Sequence, residues 1–267
     1  MFDNIAPAYD RLNHTLSLSV DRIWRRRVVR IVGRLHPRRV LDMATGTGDL
    51  AVMMARSIPE AHIKGVDLSE GMLDVARRKV AARGLEERVT LEAGDAETAV
   101  AAAGSVDVVT VAFGVRNFGD LGRGLAELSR ALRPGGRIVI LEFSTPTMPV
   151  FGRLYDWYSH RVLPRIGGWL SHDRQAYDYL PRSVDEFPQP EEFLTILAAA
   201  GFRDCRARSQ SFGIAQIYTA EKCCSGCISS AWRCWPPRRS AAAIVIWRAR
   251  SESCRRMSRP TVRPVWT

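Results

Sequence analysis

Cysteine is almost missing from the first 222 residues: five of the six fall between Cys223 and Cys254, leaving only Cys205 before them. A disulfide framework or a cysteine-ligated metal centre therefore cannot organise that part of the chain, and no metal site is expected. Long apolar runs are absent too. No N-terminal stretch has the length of a signal-peptide core, and the longest unbroken apolar run, Ala241 to Trp247, is far too short to cross a bilayer. A cytoplasmic chain is the expectation. After residue 222 lysine, phenylalanine and tyrosine vanish, while nine Arg face one acid, Glu252. That segment alone contributes +8 of the formal +11, so residues 1–222 are nearly balanced at +3. Near-neutrality of the main body argues against nucleic acid as a partner, because phosphate binding rests on concentrated positive charge.

What is present divides the chain in two. An apolar fraction of 46% is ordinary for a folded protein and excludes general disorder. The segment 223–267 stands apart, with four of seven Trp, five Cys and no sustained period. Cys224-Ser-Gly-Cys227 could open a zinc or redox site, but no second pair and no nearby His completes it. A basic arm is a second reading. The preferred one is a disordered tail or a frameshift product, since sudden Arg, Ser, Cys, Trp and Pro enrichment is what out-of-frame GC-rich DNA yields.

The first 222 residues read as one folded domain. Residues 1–36 are helical by pattern, a lid, with Trp24, Val28, Ile31, Val32 and Leu35 on one stripe and Arg25, Arg26, Arg30 and Arg34 on solvated faces. Strands are expected at 39–44, 63–67, 89–93, 106–112 and 137–143, separated by helices near 50–57, 69–82 and 121–132. Pro134-Gly135-Gly136 ends the last of these helices. Alternation of apolar strand and helix predicts a parallel sheet covered on both faces, with ligand loops along one rim. A cap insertion spans 146–189, then a helix over 190–200 and two strands, 205–210 and 214–220, too close for a crossover and so antiparallel. Six parallel strands with an antiparallel last strand resemble the class I methyltransferases, a Rossmann-like α/β fold.

The rim chooses the ligand. Gly46-Thr47-Gly48 lacks the third glycine of a dinucleotide fingerprint, Ala51 standing there, and Asp49 puts negative charge where a diphosphate would sit. Asp42 closes the first strand, Asp67 the second and Asp95 follows the third. Successive strand-end acids fit a ligand with an amine, a ribose and an adenine but no phosphate. S-adenosylmethionine meets that description, and its sulfonium and ammonium tolerate carboxylates that would repel a diphosphate.

Four stretches carry a family resemblance. Phe2 through Asn13 with Trp24-Arg25-Arg26, Phe113-Gly114-Val115-Arg116-Asn117, Arg133 through Ser144, and the insertion motifs Val162 to Gly167 and Tyr177 to Pro181 are similar to the ubiquinone/menaquinone-biosynthesis C-methyltransferases. The resemblance runs over residues 2–222. It implies S-adenosylmethionine contacts at Thr47, Asp67, Asp95, Ala96 and Ala112, beside Asp42 and Gly46 from the rim pattern; relatives often carry Ser where Ala112 stands. It implies methyl transfer to a ring carbon of a prenylated quinol, with Arg116 and Asn117 stabilising the phenolate and Tyr9, beside Asp10, on a closing lid. Arg116 and Asn117 could equally be a structural clamp. His160, Asp173 and Tyr177 are weaker candidates for the ring's polar ends. Phe151, Leu154, Tyr155, Tyr158 and Val162 form a core stripe, leaving Trp157, Trp169 and Leu170 to meet a membrane surface peripherally. The segment from Asp173 to Pro181 favours a naphthoquinol, demethylmenaquinol; a ubiquinone-pathway benzoquinol, a nicotinamide oxidoreductase and a homodimer stay open.

Overall fold

The computed structural model describes residues 20–145 and 183–223, all within the unit that ends at Cys227. In chain order the elements are α1 (Val20–Gly33), β1 (Arg39–Met43), α2 (Asp49–Ser57), β2 (His62–Asp67), α3 (Glu70–Ala81), β3 (Val89–Ala93) and β4 (Val106–Ala112). There follow a 3-10 turn (Val115–Asn117), α4 (Leu121–Ala131), β5 (Leu132–Phe143), α5 (Pro190–Ala199), β6 (Phe202–Gln210) and β7 (Ala215–Lys222). The helix starts follow local chemistry. Ser69 accepts from the Met72 amide and Asp120 from the Arg123 amide, each satisfying a donor that the first turn leaves unpaired.

One seven-stranded sheet runs β3-β2-β1-β4-β5-β7-β6. The first five strands pair in parallel, while β7 is antiparallel to both β5 and β6. The antiparallel strand thus slots between β5 and the edge, as the short β6–β7 connection requires. The order in which successive strands are added across the sheet reverses between β1 and β4. That switch point opens a crevice beyond their carboxyl ends, because the loops leaving the two strands turn to opposite faces.

Both faces are filled. Trp24, Val28 and Val32 of α1 and Leu50 and Met54 of α2 pack with Val40, Val139 and Ile217. On the other face Leu125 and Leu128 of α4 and Phe193 and Leu197 of α5 meet Leu41, Ile138, Ile140 and Tyr218. Adjacent residues Val40 and Leu41 feed different cores, which is why β1 is apolar without alternation. Each such side chain contributes about 1.5–3 kcal/mol through burial. At the far edge β3 is largely exposed.

Two local expectations need correction. Arg133-Pro134-Gly135-Gly136 does not separate helix from strand: β5 already begins at Leu132, which pairs with Val106, and the register then jumps so that Val108 faces Arg137. The extra residues are accommodated as a bulge. On α1, which ends at Gly33, Val29 is buried where Ile31 is only partly so, Leu35 lies past the helix and is partly buried, and Arg25 is not on a solvated face.

Candidate active site

The turn after β1 is held from below. Asp42 is 1% exposed; one carboxylate oxygen accepts from the Thr45 hydroxyl at 2.7 Å and the other from Thr110 of β4 at 2.5 Å. Burial pushes its pKa from 3.8 up to about 6, against the lowering effect of those two hydroxyls and of Arg25. Ala44 has φ +53°, a left-handed conformation that costs a non-glycine residue about 1 kcal/mol or more and collects at functional turns. Gly48, at φ +77°, caps α2, and a Cβ there would stand 2.9 Å from the Ala76 Cβ. The turn is therefore pressed against α3 as well as tied to β4.

Asp67 reaches across from β2. One oxygen accepts from the Gly46 amide at 2.7 Å and the other from the Ser69 amide at 2.9 Å. A carboxylate at this place is an acceptor on both oxygens, the kind of group that takes hydrogen bonds from hydroxyls. Next to it Leu68 is 70% exposed, an apolar face that sequence reading missed. Asp95 shapes the turn after β3 by accepting from the Glu97 amide, and Ala96 behind it is buried in the core. Thr47 is buried beside the glycine turn, and Ala112 is half-buried at the end of β4. Gly46, Thr47, Asp67, Asp95 and Ala112 thus gather along the carboxyl rim, with Asp42 beneath them. Asp49 sits in the first turn of α2, where Lys79 holds it at 2.6 Å. That ion pair offsets its charge, so the expectation that Asp49 repels a diphosphate is weakened.

The loop after β4 supplies the second half. Phe113 has φ +60°, and Gly114 lies so close to Ala44 that a Cβ would come within 2.3 Å of the alanine's own. The β1 and β4 loops are consequently in contact. Arg116 is buried, its Nη1 donating to Glu142 at 2.6 Å and to the Phe113 carbonyl at 2.8 Å, while Nε donates to Ser183 at 3.2 Å. Asn117 ends the 3-10 turn, its amide donating to the Gly114 carbonyl. Above this loop Phe113 stacks on Phe143 at 4.5 Å between centroids, and Trp24 of α1 meets both rings. Sequence reading missed Glu142, whose acid among β5 apolar residues was the available signal. Tyr9, Asp10, Trp157, His160, Trp169, Asp173 and Tyr177 lie outside the described residues.

A rim of this form, with acids at successive strand ends, is shared by many proteins, so sequence comparison decides. A family model described as the ubiE/COQ5 methyltransferase family matches residues 1–222. The chain belongs to that family. A ubiquinone/menaquinone biosynthesis C-methyltransferase of Geobacter sulfurreducens is 52% identical over 223 residues, 83% of this chain and 87% of that protein. A demethylmenaquinone methyltransferase of Thermus thermophilus is 49% identical over 83% of this chain and 100% of its own length.

Among solved structures, an S-adenosylmethionine-dependent methyltransferase of Aquifex aeolicus aligns with TM-score 0.51 and 19% identity, covering 69% of this chain and 81% of that one. A Haemonchus contortus phosphoethanolamine N-methyltransferase with bound S-adenosylmethionine gives TM-score 0.52 at 19% identity, over 70% of this chain and 49% of that one. These two confirm the fold. Membership of the ubiE/COQ5 family removes the nicotinamide oxidoreductase from consideration. The rim is chemically compatible with the methyl donor: Asp67 is an acceptor at the end of β2, Leu68 offers an apolar face beside it, and carboxylates suit a cation.

Proposed function

We propose that the protein methylates a ring carbon of a prenylated naphthoquinol, converting demethylmenaquinol to menaquinol. The supporting observation is the relative named demethylmenaquinone methyltransferase that is 49% identical over 83% of this chain and over its own full length. When bound, S-adenosylmethionine supplies a methyl group on a positively charged sulfur. The quinol does the rest by ordinary chemistry. Loss of a hydroxyl proton drives charge onto the neighbouring ring carbon, which forms a bond to the methyl as the sulfur–carbon bond breaks towards sulfur. The ring proton then leaves and aromaticity returns. What the protein must provide is alignment, a dry site and a counter-charge for the phenolate.

Arg116 is suited to the last role. Its Nε and Nη1 are fixed by Ser183, Phe113 and Glu142, which leaves Nη2 outside these bonds and holds the guanidinium still. A clamp and a charge donor are therefore one and the same group. Asn117 follows it on the turn, and Tyr9 is assigned to the lid. Thr47, Asp67, Asp95, Ala96 and Ala112 are assigned to the donor, with Asp42 acting beneath Gly46 rather than by direct contact. Residues 223–267 lie beyond the family match and are taken as dispensable. The isoprenoid suggests peripheral membrane access through the 146–189 cap; among described residues no helix is long and apolar enough to cross a membrane. Flotation with liposomes reads this out, and unchanged partitioning after Trp169→Glu rejects it.

The deciding assay supplies methyl-labelled S-adenosylmethionine with a panel of reduced naphthoquinols and benzoquinols and identifies products by mass. Label in the naphthoquinol alone is the expected result. Preference for a benzoquinol reverses the substrate assignment. Arg116→Ala is expected to remove turnover while donor binding stays within about threefold; loss of donor affinity moves Arg116 to the other half of the site.

A further inference from the structure

Helix α1 carries a run of arginines, and Arg22, Arg26, Arg27 and Arg30 are exposed. Arg25 is different: its side chain is 12% exposed. The cause is its neighbour. Trp24 is 2% exposed, packs on Phe113 and Phe143, and donates from Nε1 to the Ser211 hydroxyl at 2.9 Å. Docking that indole turns the next residue over the carboxyl rim, where the Arg25 guanidinium carbon lies 5.2 Å from the Phe113 ring centroid. Phe113 directly follows β4, and its loop touches the β1 turn through Gly114 and Ala44. Arg25 is near enough to favour the ionised form of Asp42.

The guanidinium is poorly matched as it stands. Its contact with Asp21 is an ion pair at 3.5 Å, and Nε, shut off from solvent, makes no hydrogen bond to a described residue. Among the described residues this largely buried cation meets one loose carboxylate contact and the face of the Phe113 ring, and a second anion would satisfy donors that these leave over. We propose that Arg25 binds the α-carboxylate of the methionine half of S-adenosylmethionine. That carboxylate is the donor's one anionic group. Asp67 and Asp95 lie on the β2–β3 side of the switch point and draw the ribose and adenine there. The amino-acid half then extends past the glycine turn towards β4, where Arg25 waits beside the ring of Phe113. An arginine fork matches a carboxylate in two parallel hydrogen bonds.

Calorimetry on the full chain tests this with two ligands, S-adenosylhomocysteine, which keeps the carboxylate, and methylthioadenosine, which lacks the whole amino-acid part. Arg25→Gln is expected to weaken S-adenosylhomocysteine about 10–100-fold and to leave methylthioadenosine within about twofold. Arg25→Lys retains the charge but loses the fork, and the ratio of the two affinities falls about threefold or more. Equal weakening of both ligands, or an unchanged ratio in Arg25→Lys, overturns the assignment. The ratio is insensitive to general destabilisation, and if Arg25→Gln does not fold the lysine variant carries the test alone. Failure of the wild type to bind either ligand would instead count against the donor itself.

Discussion

Asp42 sets a measurable conflict between stability and cofactor binding. Its carboxyl has an ordinary pKa of 3.8 in the unfolded chain and is held at about 6 in the fold. An acid whose folded pKa is raised keeps its full contribution below pH 3.8 and loses it as pH climbs through 6. A shift of about two units corresponds to about 3 kcal/mol of destabilisation above pH 6, where a fully buried group must carry its charge. Asp42→Asn removes the charge and preserves the bonding pattern, since an amide can accept from one threonine hydroxyl and donate to the other. The variant without ligand is therefore expected to be up to about 3 kcal/mol more stable at pH 7.5, or about 6–12 °C in Tm for a domain of this size. The advantage shrinks as pH falls from 7 towards 4. Circular-dichroism melts across that range read it directly. The donor acts the other way, because its sulfonium and ammonium favour the ionised carboxylate. Wild-type affinity for S-adenosylhomocysteine, which keeps the ammonium, is expected to fall about tenfold between pH 7.5 and pH 5, where about a tenth of a group with pKa 6 is ionised. The asparagine variant should be flat over the same interval. A wild-type protein whose stability relative to Asp42→Asn does not change between pH 5 and 7 would refute the reasoning.

Three further outcomes are expected. Gly48→Ala meets both a positive φ and the Ala76 methyl, so it should cost about 2 kcal/mol in urea unfolding and weaken donor binding by displacing the turn. Glu142 is fully buried and Arg116 nearly so, and Glu142→Gln removes the arginine's counter-charge; a loss of about 3–5 kcal/mol, seen as a lower urea midpoint, is expected, whereas a change under 1 kcal/mol would mean the pair is solvated. Truncation after Cys223 should leave Tm and turnover unchanged, provided Lys222 stays to donate to the Leu132 carbonyl and the Cys223 amide to Gly201. A larger loss would show that residues 224–267 support the enzyme.

Several features were legible because they are local in the chain. Strand positions came from apolar runs a few residues long, and the helix starts at Ser69 and after Asp120 follow from side chains that bond amides three residues on. The rim acids were readable for the same reason: a carboxylate at a strand end announces itself by position. The bulge in β5 was not, because Pro and Gly read alike as the end of a helix or as extra residues inside a ladder. Only pairing with β4 distinguishes the two.

By itself, then, the sequence determined the alternation of strand and helix, the glycine turn and the acids at the strand ends, all of them products of short-range bonding and periodicity. Tertiary structure alone decided which charges meet. Thr110 reaches Asp42 from 68 residues away, Arg116 finds Glu142 across 26 residues, and Trp24 anchors to Ser211 over 187. Hydrophobic burial of the sheet faces fixes those encounters, and no local pattern encodes the distance between two side chains that only a shared core brings together. Arg25 is the clearest instance: one more arginine on a basic helix by sequence, it becomes a cation at the rim because the tryptophan beside it is buried.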